Sequence, residues 1–247
     1  MQQKDFIYGR APIIDHMRGG GSFEQILLQK GIDRETADTV KALAREKRIP
    51  VNIAPIHKLN RVTRKNHQGV IGFTSWVEYV DVDAVIQGCF ERAKTPLVLI
   101  LDRITDVRNM GAIARSAEVL GADLIILPTR ESAMINADAV KTSAGGIMHI
   151  PLSRSANLEG AVRHLQSSGI SVYAADHKSE KLVSDLAFEG PCAIIMGSEG
   201  QGVDPRLIKA ANETFSIPQV GRTESLNVSV ASGIVLYEVL RQRKQSS

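Results

Sequence analysis

The chain has 247 residues, 43% hydrophobic and 23% charged, which is the composition of an ordinary soluble globular protein with one large or two modest domains. Its apolar runs are only of strand length, MQQKDFIYGR lacks the apolar core of a secretion signal, and Cys89 and Cys192 stand far apart in apolar settings; this excludes a membrane-spanning helix, argues against a disulfide framework or cysteine zinc site, and fits a reducing cytoplasm. The net charge of +3 is uneven, with 13 Lys/Arg against 8 Asp/Glu in residues 1–80 and 17 against 19 in residues 81–247, so the first third suits a polyanion, while an aromatic content of 4% disfavours stacking of many bases.

In chain order, the first ~75 residues read as a small α/β module of ordinary element lengths. Phe6 to Met17 has helical spacing after Tyr8-Gly9, Gln25 to Leu28 reads as a short strand, and Arg34 to Arg48 reads as a helix with Asp33 as N-cap and a basic last turn. Val51 to Ile56 and Val70 to Phe73 are expected strands, joined by a basic loop from Lys58 to Gln68. The segment 79–95 reads as a linker, with helical spacing from Asp81 to Ala93 and a close at Thr95-Pro96.

From Leu97 the pattern becomes strand–helix alternation. Strands are expected at Leu97–Leu101, Leu124–Leu127, Ile147–Ile150, Val172–Ala175, Ala193–Met196 and Phe215–Ile217. Helices are expected at Asn109–Leu120, Ala137–Ser143, Asn157–Ser167 and about Asn227–Arg243, with Gly121 and Gly169 ending two of them. Apolar strands alternating with helices predict a parallel sheet covered on both faces. The QRKQSS tail is expected to fray.

Three polar clusters fall at strand ends. In DRITDVRNMGAIARSAE, Asn109 lies near a helix start and Arg115 about two turns in, so Arg108, Gly111, Ala112 and Arg115 can share a groove. Arg115 could equally pair with a surface acid such as Glu118. In MGSEGQG, glycines can bring backbone amides close to a ligand around Glu199. The stretch has neither the Lys-Ser/Thr of a P-loop nor the GxGxxG spacing, and a tight turn without a ligand is the plainer alternative. In ESLNVSVASG, Ser225 and Asn227 are good N-caps, or could face a polar substrate with Ser229. The helix behind them is apolar over much of its girth and must be buried on more than one side. The six histidines show no metal spacing, and no serine sits in a GxSxG elbow. Composition and spacing lead to an α/β protein with a nucleotide-type ligand and a basic appendage.

The ordered set N-x-G-A-x-x-R (Asn109, Gly111, Ala112, Arg115), M-G-x-E-G-x-G (Met196 to Gly202), S-I-P (Ser216 to Pro218) and S-L-N-V-S-V-A (Ser225 to Ala231) resembles the SpoU branch of the SPOUT methyltransferases. The leading YGRAPIIDHM and the HQGVIG near residue 67 further resemble the bacterial 23S rRNA guanosine 2′-O-methyltransferase subgroup. That resemblance implies an L30e-like RNA-binding domain over 1–78, a linker over 79–95, and an α/β methyltransferase domain over 96–247 whose parallel sheet ends in a deep trefoil knot, an exception to the avoidance of threaded chains. It implies S-adenosylmethionine as cofactor, held by Gly197, Ile217 and Leu226 with Met196 and Gly202 nearby. It implies Arg115 as the catalytic arginine, with Asn109, Glu199, Ser225 and Asn227 ordering it and the ribose, and no metal. It also implies rRNA gripped through Lys58, Arg61, Arg64 and Lys65, and a homodimer through the C-terminal domain. Two other functions stay open: a tRNA or resistance-type rRNA 2′-O-methyltransferase, and a non-catalytic RNA-binding ribosome-assembly protein.

Overall fold

From Glu24 to Gln29 the N-terminal unit's longest strand alternates between buried and half-buried residues, as strands do when one face of a sheet is packed more tightly than the other. The computed structural model describes residues 6–222 and 225–245 and divides the chain into two units, Met1–Glu78 and Tyr79–Ser247. The first contains β1 (Phe6–Tyr8), α1 (Arg10–Arg18), β2 (Phe23–Gln29), α2 (Arg34–Glu46), β3 (Val51–Ala54), α3 (Ile56–Val62) and β4 (Val70–Thr74). Its sheet runs β1-β4-β2-β3, with β2 and β3 parallel and the other pairs antiparallel.

Ile13, Met17, Phe23, Ile26, Leu28, Val40 and Ala44 form one core with α1 and α2. A register shift between Phe23 and Gln25 lets both Phe23 and Ile26 point inward. Asp33 caps α2 by accepting from the Thr36 amide at 2.9 Å, which holds its carboxyl below the usual carboxylate range.

Two expectations fail in this unit. Phe6–Tyr8 is a strand, not the start of a helix, because Gly9 at φ +96° turns the chain before α1 begins. The segment 58–68 is not all loop either: Ile56–Val62 is helical, and its Leu59 is fully buried against Ala54 and Ile71. The charged residues that made it read as loop lie on the solvent side of that short helix.

The second unit contains α4 (Val82–Glu91), β5 (Leu97–Asp102), α5 (Val107–Val119), β6 (Leu124–Pro128), α6 (Ala137–Thr142), β7 (Leu152–Ser155), α7 (Leu158–Ser167), β8 (Ser171–Ala175), β9 (Cys192–Gly197), α8 (Pro205–Ala210), β10 (Glu213–Phe215) and α9 (Val228–Gln245). Every pair in the order β10-β8-β9-β5-β6-β7 is parallel. All six residues of β5 are buried, as a central strand with both faces covered requires.

The stretch 79–95 is no linker here. Ile86 joins the core of this unit, and the Val80 amide donates to Leu152 O at 2.8 Å. The apolar residues 147–150 do not form a strand: Gly145 at φ +86° leads into a 3₁₀ turn over Gly146–Met148, and the strand follows at Leu152–Ser155. That strand reads as polar in sequence, yet Ser153 and Arg154 are buried, Arg154 under the Tyr79 ring at 4.2 Å. The last strand ends at Phe215, before Ile217. The tail is helical to Gln245, with residues 246–247 outside the described residues. It is pinned by Arg243, which donates to the carbonyls of Thr95, Pro96, Phe188 and Gly190.

Candidate active site

A parallel sheet aims all its strand carboxyl ends at one edge, and ligands collect there. Here the ends of β8 and β9, the segment after β10 and the start of α9 enclose a cavity of about 510 Å³. Glycine makes the enclosure possible. A Cβ on Gly197 would sit 2.1 Å from the carbonyl carbon of Gly202, so the two backbones cross with no room for a side chain. The crossing is closed by the Gly202 amide donating to Ser198 O at 2.9 Å. Gly200 and Gly202 both have positive φ.

The loop is also braced from behind. Arg103 donates to both carboxylate oxygens of buried Asp102, to Gln201 Oε1 at 2.7 Å and to Gly202 O at 3.1 Å. Asp102 in turn accepts from the Asp204 amide at 2.8 Å. The bond to Asp102 holds the Arg103 guanidinium above its ordinary pKa. Arg103 itself has φ +56°, a conformation that costs a non-glycine residue about 1 kcal/mol.

Glu199 is the polar focus of the cavity rim. Its Oε1 accepts from Asn109 Nδ2 at 3.1 Å, from the Val228 amide at 3.4 Å and, in a short bond, from Asn227 Nδ2. Asn227 Nδ2 also donates to Asn109 Oδ1 at 3.0 Å. The carboxylate thus caps the first turn of α9, where an anion is favoured. Asn109 is delivered by α5, whose N-cap Asp106 accepts from the amides of Arg108 and Asn109.

Of the residues singled out in the sequence, Met196, Gly197, Glu199, Gly202, Ile217, Ser225 and Leu226 line the cavity. Asn109 and Asn227 join it through Glu199. Arg115 does not line it. It is exposed on α5, and among the described residues it has no hydrogen bond or ion pair. Six residues beyond Asn109, it faces about 120° away around the helix. Nor do Gly111 and Arg115 share a ligand groove: Gly111 is buried against α6, where a Cβ would lie 2.8 Å from Ala139 O. Lys58 and Arg61 lie on α3, and Arg64 and Lys65 just beyond it, all exposed in the first unit.

The sequence reading missed Ala175, Asp176 and His177, which line the cavity from the end of β8; the available signal was a polar turn directly after an apolar strand. It also missed Arg103, which no local pattern marks. Among the described residues no cluster of His, Cys, Asp or Glu could hold a metal ion, and no helix is long and apolar enough to cross a membrane.

Comparison with known proteins agrees with this geometry. Residues 96–237 match the SpoU rRNA methylase family, and residues 6–80 match the substrate-binding domain of RNA 2′-O ribose methyltransferases. A Staphylococcus haemolyticus protein named for the TrmH family of tRNA/rRNA methyltransferases is 35% identical over 240 residues, covering 97% of this chain and 96% of that one. The fold is shared with the AdoMet-bound SpoU methyltransferase AviRb of Streptomyces viridochromogenes (TM-score 0.61, 23% identity, 97% of this chain and 90% of that chain). It is shared too with an AdoMet-bound rRNA methyltransferase of Sinorhizobium meliloti (TM-score 0.60, 25% identity, 96% and 86%). With both halves of the chain matched in order, the protein belongs to the SpoU family of RNA methyltransferases.

Proposed function

We propose that the chain methylates a ribose 2′-oxygen of RNA with S-adenosylmethionine, and that its substrate is a guanosine of 23S rRNA. The observation that carries the methyl-transfer reading is the side-chain-free crossing of Gly197 and Gly202 at a cavity of about 510 Å³, while the choice of a 23S guanosine rests on the resemblance of YGRAPIIDHM and HQGVIG. The lining fits the cofactor. Ile217, Leu226, Met196 and Phe215 offer apolar surface for a base, backbone at Gly197 and Gly202 offers polar groups without bulk, and Glu199 and Asp176 offer carboxylates to a cationic centre. Bound there, S-adenosylmethionine would supply a methyl group already activated on a sulfonium. The cavity residues Gly197 to Gly202, Phe215 to Gln219 and Ser225 to Val228 fall within the stretch, about Cys192 to Val235, that the resemblance assigns to the trefoil knot.

A ribose hydroxyl is a poor nucleophile, so the protein must orient it and ease loss of its proton. Asn109, Glu199, Ser225 and Asn227 form the orienting edge. Arg115 offers a planar fork of N–H donors and no acceptor. Its role is to hold a phosphate and stabilise negative charge developing on the oxygen. Because Arg115 lies outside the cavity of its own chain, it serves the second copy of a homodimer. Val119, four residues on and exposed, and exposed Met148 and Ile234 give such a copy an apolar surface to cover. Lys58, Arg61, Arg64 and Lys65 grip the RNA backbone. Two buried free cysteines are consistent with cytoplasmic work.

The test is transfer of label from tritiated S-adenosylmethionine to protein-free 23S rRNA, with tRNA in parallel, followed by mapping of alkali-resistant positions. Label in 23S rRNA is expected. Arg115→Ala is expected to lower the rate about a thousandfold while cofactor affinity stays unchanged. Transfer to tRNA alone would overturn the rRNA assignment, and an undiminished rate in Arg115→Ala would overturn the arginine's role.

A further inference from the structure

The sheet of the first unit has two unlike faces. One is closed by α1 and α2. Among the described residues of this unit, the other is closed only in part, by Leu59 and Val62 of α3. Strand register places the residues of this second face in rows. Phe6, Phe73 and Gln25 are cross-strand neighbours in one row, and Tyr8, Ile71, Leu27 and Asn52 in the next. Ile71 is buried under α3, whereas Phe6, Tyr8, Phe73 and Gln25 are half-exposed and Asn52 is exposed.

The three rings form one patch. Phe6 lies 6.2 Å from Tyr8 and 6.4 Å from Phe73, centroid to centroid, with tilted and edge-on geometry. Such packing leaves parts of the ring faces outward. The patch has a cationic rim: Lys65 Nζ stands 6.0 Å from the Tyr8 ring centroid, and Lys58, Arg61 and Arg64 are exposed beside it in sequence. The rim is anchored. His67 Nδ1 accepts from the Gly69 amide at 3.0 Å, which leaves Nε2–H to donate to Asn60 Oδ1 at 2.9 Å, tying the segment just before β4 back to α3.

We propose that this open sheet face is a stacking platform for unpaired RNA bases, with Phe6, Tyr8 and Phe73 as the stacking surfaces, Gln25 and Asn52 as hydrogen-bonding groups, and the Lys58–Lys65 cations on the phosphates. The proposal rests on the reading of the chain as an RNA methyltransferase and deepens it by naming the form of RNA held. Half-exposed rings on a four-stranded sheet offer nothing to a duplex, whose base faces are hidden. They offer a π-face to any splayed base. A purely apolar partner would leave the charged rim unpaired, whereas a single strand presents bases and phosphates alternately, as the rings and cations do.

The two kinds of contact separate experimentally, because stacking releases no counterions and phosphate contact does. Full-length Tyr8→Leu and Phe73→Leu are each expected to bind a short single-stranded RNA of mixed sequence about tenfold more weakly, with the salt dependence unchanged. Lys65→Ala is expected to lower the slope of log affinity against log salt by about 0.7. A matched duplex should bind the wild type and the ring variants alike. Melting temperatures check that the variants fold. Photo-crosslinking of the wild-type chain to 4-thiouridine RNA needs no variant, and should map to peptides containing Phe6, Tyr8 or Phe73. Folded ring variants with wild-type affinity, or crosslinks that all fall elsewhere, would overturn the platform. If those variants also methylate RNA normally, the enzyme reading survives; a wild-type chain that binds no RNA at all defeats both.

Discussion

The two units meet a ligand with opposite materials. The cavity of the second is built where side chains are missing, at the crossing of Gly197 and Gly202. The open face of the first is built of side chains, three rings and a cationic rim. A backbone cradle is damaged by adding atoms, and a side-chain platform by removing them. The cradle is also rigidly supported, since Arg103 holds Gly202 and Asn227 holds Glu199. The platform's cations extend into solvent. One site therefore suits a ligand of fixed shape, and the other a polymer of variable sequence.

The sharpest way to break this contrast is Gly197→Ala. The new methyl carbon would stand 2.1 Å from Gly202 C and 2.2 Å from Val203 N, both backbone atoms. The loop must shift, and it has the cavity on its other side. Calorimetry is expected to show S-adenosylmethionine binding weakened by about a hundredfold or more, as overpacking at a fixed crossing implies. RNA affinity should be unchanged, because the platform lies in the other unit. Wild-type cofactor affinity in this variant would mean that the crossing is not the cradle.

A smaller effect sharpens the role of the brace. Arg103→Lys keeps a cation beside buried Asp102 but loses the planar fork that also reaches Gln201 and Gly202 O. Keeping the charge avoids leaving Asp102 as an unpaired buried carboxylate. About a tenfold rise in KM for S-adenosylmethionine is expected, with kcat at saturation unchanged. A fall in kcat with KM unchanged would place Arg103 in the chemistry rather than behind the loop.

How legible each unit was follows from the same contrast. Strands buried on both faces, such as Leu97–Leu101 and Ala193–Met196, announce themselves as unbroken apolar runs, and the glycine loop announces itself by composition. The family resemblance then drew residues from 197, 217 and 226 into one cavity, which spacing alone could not do. What stayed hidden depends on distant partners. Arg154 is buried in β7 with the Tyr79 ring, 75 residues away in sequence, packed against it. Leu59 turns a charged segment into a helix only because Ala54 and Ile71 await it. Arg103 adopts φ +56° only because Asp102 and Gly202 hold its side chain. The rings were discounted as too few, because composition counts residues without showing that Phe6, Tyr8 and Phe73 share a face.

The last expected effect concerns stability rather than binding, at the opposite end of the cradle's own strand. β9 begins at Cys192, which is buried, and desolvation pushes its thiol up to about 11, offset only in part by the Arg243 guanidinium at 3.5 Å. In the unfolded chain the thiol loses its proton near 9. Between these values the folded state holds more protons than the unfolded one, so stability falls as pH rises through that window and is fully present below it. Unfolding free energies from urea titrations at pH 8 and upward should therefore decline more steeply in the wild type than in Cys192→Ala, by a difference of about 2 kcal/mol at pH 11. Cofactor affinity should not follow that difference, since the thiol sits at the amino end of β9 and the cavity at its carboxyl end. Parallel pH profiles for the two proteins would show that Cys192 ionises as freely in the fold as outside it, and that β9 is wet at both ends.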